Sequence, residues 1–174
     1  IKAMLTDGTA TFTGKHYQVE EAHCYPTPVQ SPPRIWIGGG GERRTLRIAA
    51  RYAEGWNVPY ISPTAFNHKI DVLNHWCETE HRDPNQITRT VNVGFWMGAT
   101  EKEASNERQR YNEQYGARAE ERSGGQLFGT PREAVERINE YIEAGAQGLN
   151  IALRAPFNWD ALHAFAEEVV PAFK

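Results

Sequence analysis

The segment Gly38-Gly39-Gly40-Gly41-Glu42-Arg43-Arg44-Thr45 has the composition that most directly implies chemistry. Glycines let a backbone approach a ligand closely, and a glycine run ahead of a helix offers free N–H groups and the positive end of the helix dipole to an anion. The chemistry implied is phosphate binding. The plainer account is a tight turn between a strand and a helix, with no ligand. Two familiar phosphate loops are excluded: no Gly-Lys-Ser/Thr ending follows, and Arg43 or Arg44 falls where a GxGxxG fingerprint needs its third glycine.

Four further positions lie where a parallel sheet would present them to a ligand. Trp56 and Asn57 close one strand-like run, and Asn150 and Arg154 lie along and just beyond another. Strand C-terminal ends carry the site in a parallel barrel. Core packing is the plainer account of Trp56, and a solvated loop charge accounts equally for Arg154. His68 and His75 share a helix face with Cys77 nearby, but no HExxH or carboxylate cluster accompanies them, so no metal site is expected. A nucleophile elbow GxSxG is also absent, and no catalytic nucleophile stands out.

The elements that position these residues follow from periodicity and turn chemistry. Thr9–Phe12 and His16–Val19 flank Thr13-Gly14-Lys15, the composition of a β-hairpin. The prolines at 26, 28, 32 and 33 then force an extended linker, which places a boundary near residue 33. Beyond it the pattern alternates. Arg34–Ile37 is a short apolar run, and Leu46, Ala49, Ala50 and Ala53 make a helical stripe. Gly55–Val58 is a second strand, after which Ser62-Pro63 opens a helix burying Phe66, Ile70, Leu73 and Cys77.

Thr90–Met97 is the clearest strand, and Thr100 with Glu103 caps a polar helix to about Tyr115. Residues 116–126 read as a loop. Thr130-Pro131-Arg132-Glu133 starts a helix with Val135, Ile138 and Ile142 inward. Gly148–Leu153 is the last strand, and Asn158 caps a final helix with Leu162, Phe165, Ala166 and Val169 inward. Successive strand-helix units argue for a parallel sheet covered by helices. A complete doubly wound sheet fits 174 residues, and so does half of a (β/α)₈ barrel, which needs about 250 residues in all.

Composition narrows the classes further. At 174 residues, 40% apolar and 24% charged, the chain supports one ordinary core. A net charge of −3 gives no global attraction to nucleic acid or anionic lipid, so any anion site must be local. There is no run of about 20 apolar residues and no signal-peptide pattern. Cys24 and Cys77 lack disulfide or zinc spacing, so a reducing cytoplasm is the expected home. Ile1–Leu5 reads as the end of a helix, which implies residues upstream.

Taken in order, Phe12-Thr13-Gly14-Lys15-His16-Tyr17, Pro28-Val29-Gln30, the run from Pro33 through Gly38–Glu42 to Arg47, and Ala53-Glu54-Gly55-Trp56-Asn57 resemble the luciferase-like monooxygenase family. Its deazaflavin (coenzyme F-420) branch is the most similar. Gly129–Glu133 and Phe165–Pro171 resemble that family's end, so the likeness covers essentially the whole chain.

The resemblance implies an α/β fold that is the C-terminal half of a TIM barrel, strands five to eight. Residues 1–33 would be a helix end, hairpin insertion and linker, and residues 34–174 the half barrel. It implies a cofactor, coenzyme F-420 or FMN, whose phosphate-bearing tail meets Gly38, Gly39, Gly40, Gly41, Glu42 and Arg43. Trp56 and Asn57 would also contact the cofactor, and Arg154 a small organic substrate.

The family's acid or base residues come from its first four strands, so none is assigned here. The function implied is hydride transfer with a deazaflavin; FMN monooxygenation and a non-catalytic, dimerising half barrel are the alternatives. Residues 1–174 alone are expected to be inactive and to self-associate, because half a barrel leaves strand edges unpaired.

Overall fold

The computed structural model describes residues 1–173, in two compact units that divide between Ile35 and Trp36. In the first, helix α1 (Lys2–Asp7) stops where Gly8 takes a left-handed φ of 73°. Strands β1 (Thr9–Thr13) and β2 (Gln18–His23) form the antiparallel hairpin. Its second strand starts later than the pattern suggests. His16 and Tyr17 stay in the turn, which the Gly14 amide closes by donating to the Tyr17 carbonyl. Neither helix nor strand forms between residues 24 and 35, where prolines remove backbone donors.

The second unit is a parallel sheet. It contains β3 (Trp36–Gly38), β4 (Gly55–Pro59), β5 (Thr88–Met97), β6 (Gln126–Gly129) and β7 (Gly148–Ala152). All pairings are parallel: β3 with β4, β4 with β5, and β5 with both β6 and β7. The four strands read from the sequence are therefore neighbours in chain order, without the reversal that defines a doubly wound sheet.

Strand β6 was not anticipated. It starts at Gln126, the last residue of what reads as a loop, and the loop itself holds a 3₁₀ turn (Gly116–Arg118) and a short helix α5 (Ala119–Ser123). Hydrogen-bond parity shows where it sits. Even-numbered residues of β5 serve one edge: Thr88 donates to Glu54, Asn92 accepts from Tyr60, and Gly94 donates to Gly125. The odd residue Arg89 accepts from Gln147 on the other edge. Thus β6 continues the edge that β4 vacates, and β7 has the opposite edge to itself.

Register also sorts the two faces. Ile37, Trp56, Val58, Val91, Val93 and Ile151 point to the helices and belong to or pack against the main core, except that Ile151 is half-buried. Trp36, Asn57, Thr90, Asn92, Gly94, Trp96, Asn150 and Ala152 point the other way. The helical stripes follow the sequence on α2 (Thr45–Tyr52), which buries Leu46, Ala49 and Ala50, and on α3 (Pro63–Thr79), which buries Phe66, Ile70, Leu73 and Cys77. Ser62 caps α3 through the Ala65 amide. Helix α4 (Glu101–Tyr115) starts at Thr100, but Glu103 reaches back to the Ala99 amide rather than to that of Thr100.

Two stripes differ. Helix α6 (Pro131–Glu143) buries Ala134, Ile138 and Tyr141, one position off the aliphatic reading, and leaves Ile142 45% exposed. Tyr141 takes the place because its hydroxyl finds partners inside, the carbonyls of Ile61 at 2.7 Å and Gly124 at 3.2 Å. Helix α7 (Trp159–Ala164) passes into a π turn at Phe165–Val169. The wider turn rotates Ala166 outward while Val169 remains buried.

The bonds from Tyr141 hold the chain after β4 against the segment before β6. Burial pushes the Tyr141 phenol up to about 12. An unfolded phenol titrates near 10, so from about pH 10 to 12 the unfolded chain loses a proton that the folded chain keeps. The stability it contributes is complete below that window and is lost as pH rises through it. Tyr111 is shifted the same way by burial, so the comparison must be between variants. Tyr141→Phe should cost about 1–3 kcal/mol in urea unfolding at pH 8, by leaving the Ile61 carbonyl short of a donor while Arg137 still serves that of Gly124. It should also flatten the alkaline loss; a variant with wild-type stability and an unchanged alkaline slope would show that these bonds hold nothing.

Candidate functional site

The glycine run begins at the C-terminal end of β3, and Gly39, at φ 114°, turns the chain out of the sheet. A side chain at this φ would be strained, which is why glycine occupies it. Strand β4 pins Gly39 on both sides. Its amide donates to the Asn57 carbonyl at 2.8 Å, and its carbonyl accepts from Trp56 Nε1 at 2.8 Å.

Helix α3 fixes the far end of the loop. Trp76 Nε1 donates to the Glu42 carbonyl at 2.8 Å, Lys69 Nζ reaches Glu42 Oε1 at 2.6 Å, and His68 Nε2 lies 3.2 Å from the same oxygen. The Lys69 hydrogen bond, more than its charge, holds the Glu42 carboxyl below its ordinary range, with His68 adding to it.

Between these anchors the amides have no side-chain acceptor, although the Leu46 amide donates to the Gly41 carbonyl. Helix α2 has Arg44 as its N-cap with no side-chain capping bond, so its first amides have no side-chain acceptor. Arg43 and Arg44 are exposed and make no ion pair among the described residues. Amides, a helix terminus and two unpaired guanidinium groups on a rigid frame can bind an anion.

On the sheet face away from the core, Asn57 Nδ2 donates to Thr90 Oγ1 at 2.8 Å. Asn150 is exposed, in register with Asn92. Near the ends of β4 and β5 a cavity of about 340 Å³ opens among Tyr60, Gly94, Trp96, Tyr115, Arg122 and Arg154, with Glu121 and Gln126 completing its lining. Arg154 Nη2 is 3.4 Å from the Tyr60 hydroxyl. That contact, with the Tyr60 charge interaction second, raises the Arg154 pKa, so the guanidinium stays charged.

The structure thus gathers Gly38–Glu42, Trp56 and Asn57 into one neighbourhood and places Arg154 in the cavity with Tyr60. Trp56 is 0% exposed and stacks on Phe66 at 5.5 Å, so it braces Gly39 from beneath instead of facing a ligand. His68 and His75 have separate partners, Glu42 and Glu78. Among the described residues no group of three His, Cys, Asp or Glu side chains could hold a metal ion, and no helix is long and apolar enough to cross a membrane. Sequence reasoning missed Lys69 and Trp76, which are legible only as the half-buried shoulder of the α3 stripe. It also missed Tyr60, Trp96, Arg122 and Gln126, which carry no local signal.

The luciferase-like monooxygenase family model matches residues 1–148, and the chain belongs to that family. Three solved structures are similar in fold. An F-420-dependent secondary alcohol dehydrogenase, in complex with an F-420–acetone adduct, has a TM-score of 0.79 at 16% identity, over 98% of this chain and 58% of that one. A coenzyme F-420-dependent tetrahydromethanopterin reductase from Methanopyrus kandleri has a TM-score of 0.79 at 17% identity, over 99% and 60%. A riboflavin lyase with modified FMN and substrate riboflavin has a TM-score of 0.70 at 14% identity, over 94% and 48%. The chain therefore spans 58% and 60% of the first two structures' length. No curated protein matches it in sequence.

The loop's rigidity is testable through the bond from Trp76. Trp76→Phe keeps an aromatic ring and removes the donor to Glu42, a loss of about 1 kcal/mol. Hydrogen exchange at the Leu46 amide, which donates to the Gly41 carbonyl, should accelerate by roughly fivefold. Unchanged protection would show that the loop holds its shape without α3.

Proposed function

We propose that this chain is the C-terminal half of a (β/α)₈ barrel, its β3, β4, β5 and β7 standing as strands five to eight. In the whole protein it would serve an oxidoreductase that moves a hydride between coenzyme F-420 and a small organic substrate. Residues 1–33 would be an excursion from the barrel and residues 34–174 its four strand-helix units. Strands adjacent in chain order support the barrel, and the family and the F-420-dependent structures of like fold support the chemistry.

The observation that carries the reading is the pinned glycine loop with its unclaimed donors. The Gly38–Glu42 backbone and Arg43 fit the phosphate-bearing tail of such a cofactor. Added Cβ atoms would crowd that cradle: one on Gly41 would lie 2.9 Å from Thr45 Oγ1 and one on Gly40 3.3 Å from Val58 Cγ2. Asn57 would sit on the cofactor's side of the sheet, Trp56 would hold Gly39 in place, and Arg154 would meet the substrate. When bound, the deazaflavin accepts or donates a hydride, and orientation is the protein's contribution. The residue that takes or supplies the accompanying proton belongs, on this reading, to the other strands of the barrel.

FMN-dependent monooxygenation is the second reading, favoured by the riboflavin lyase structure with modified FMN. We place the protein in the cytoplasm, with its Cys77 thiol buried and no nucleic acid or membrane as partner. Residues 1–174 alone should self-associate and lack turnover, since one side of the site stays wet. Spectroscopic titration of the full-length protein with F-420 and with FMN tests the assignment. One should bind far more tightly, and Arg43→Ala should weaken it by about 1–3 kcal/mol. If neither cofactor binds, the reading fails; unchanged affinity in the variant would mean that Arg43 only faces solvent.

A further inference from the structure

The cavity beside Arg154 has a chemical character of its own. Five other arginines of this unit, Arg47, Arg51, Arg110, Arg132 and Arg137, lie against a carboxylate. Arg122 and Arg154 lie against aromatic rings with no carboxylate paired to them, as Arg108 does on Phe128. The Arg122 guanidinium is 5.4 Å from the Tyr115 ring centre, and that of Arg154 is 6.0 Å from the ring centre of Tyr60. Ring contacts of this kind leave most of a guanidinium's N–H groups free, although Arg154 Nη2 also donates to the Tyr60 hydroxyl at 3.4 Å. Glu121, the one carboxylate in the lining, makes no ion pair among the described residues, so two guanidinium groups face one carboxylate.

A third donor comes from the floor. Trp96 is 4% exposed, yet its indole N–H has no acceptor among the described residues. The N–H is not sealed in the core; it lines the cavity and is open to a ligand there. The indole nitrogen lies over Gly94, 3.3 Å from where a Cβ on that residue would stand. The Trp96 ring is held edge-on by Tyr111 at 5.1 Å and Tyr115 at 6.1 Å, so it is a fixed wall.

Gln126 sets the remaining side. Its Nε2 donates to the Arg122 carbonyl at 3.0 Å, which ties α5 to the floor. Its Oε1 comes within 1.7 Å of a Cβ placed on Gly94, so only glycine leaves room for that arrangement. Donors converge from three elements onto one apolar wall, in about 340 Å³, the lower range for small-molecule sites.

We propose that this cavity seats a small substrate by an oxyanion head, a carboxylate or a phosphate, held between Arg122 and Arg154 with its apolar body against Trp96. This deepens the oxidoreductase reading and rests on it only for calling the ligand a substrate.

Calorimetric titration of the full-length protein with benzoate, phenyl phosphate and neutral benzamide tests it, with cofactor affinity measured on the same samples. At least one anion should bind tenfold or more tightly than benzamide, and the tighter of the two identifies the head group. Arg122→Gln and Arg154→Gln should each lower that anion's affinity about tenfold while leaving benzamide and cofactor affinity unchanged. Trp96→Phe should weaken the anion less, since it keeps the wall and removes one donor. Equal binding of all three probes, no binding of either anion, or arginine variants that retain the preference would overturn the proposal. Anion selectivity without cofactor binding would sustain the cavity and sink the oxidoreductase reading instead.

Discussion

Strand β5 is longer than any neighbour, and the arrangement of the second unit depends on how its two edges are filled. Alternate residues of a parallel strand bond to opposite edges. On the even edge β4 reaches only as far as Tyr60, whose amide bonds to Asn92, and β5 continues for five more residues to Met97. Those residues need partners, and β6 supplies them. The handover forces the backbone before β6 against the end of β4, so a Cβ on Gly125 would lie 2.1 Å from the Tyr60 carbonyl carbon. Only glycine permits that approach. The same junction brings α5, and with it Arg122, over the end of β4. The cavity is thus a consequence of strand-length mismatch.

How much of this was legible follows from the range of the forces involved. The stripes of α2 and α3 and the strands around Val91 and Leu149 are local patterns, and the sequence reading placed them well. Where a polar contact across the fold decided the outcome, pattern was insufficient. The Tyr141 hydroxyl, bonded to carbonyls 80 and 17 residues away, displaced an aliphatic stripe by one position. Strand β6 is four residues long and holds its place through the free edge of β5, which no local window reveals. For the candidate site, the glycine loop is visible in composition alone, but its anchors Lys69 and Trp76 lie 27 and 34 residues on from Glu42.

Trp56 shows why packing and function are poor alternatives for a single side chain. It is fully buried and stacked on Phe66, as a core residue should be. Its one polar atom is bonded to Gly39, in the loop where an anion is proposed to sit. A buried indole N–H needs an acceptor, and here the need is met by a backbone carbonyl that would otherwise be free to move. Core packing therefore fixes the loop's geometry, and the energetic cost of misplacing the loop is charged to the core.

Parallel strands put all their C-terminal ends at one end of the sheet, so the turns that follow them open in the same direction. That concentrates free amides and helix N-termini there, which is favourable for an anion although the chain as a whole carries a net charge of −3. An acidic side chain within such a turn would work against this. Glu42 is in that position, and its carboxylate is turned to Lys69, which neutralises it, with His68 Nε2 against the same oxygen. The residues that remain uncommitted at that end are Arg43, Arg44, Arg122 and Arg154, each unpaired with any carboxylate among the described residues. With these four cations open where strand ends and helix N-termini meet, the local field is positive in spite of the chain's net charge, which is the setting that the proposed anion requires.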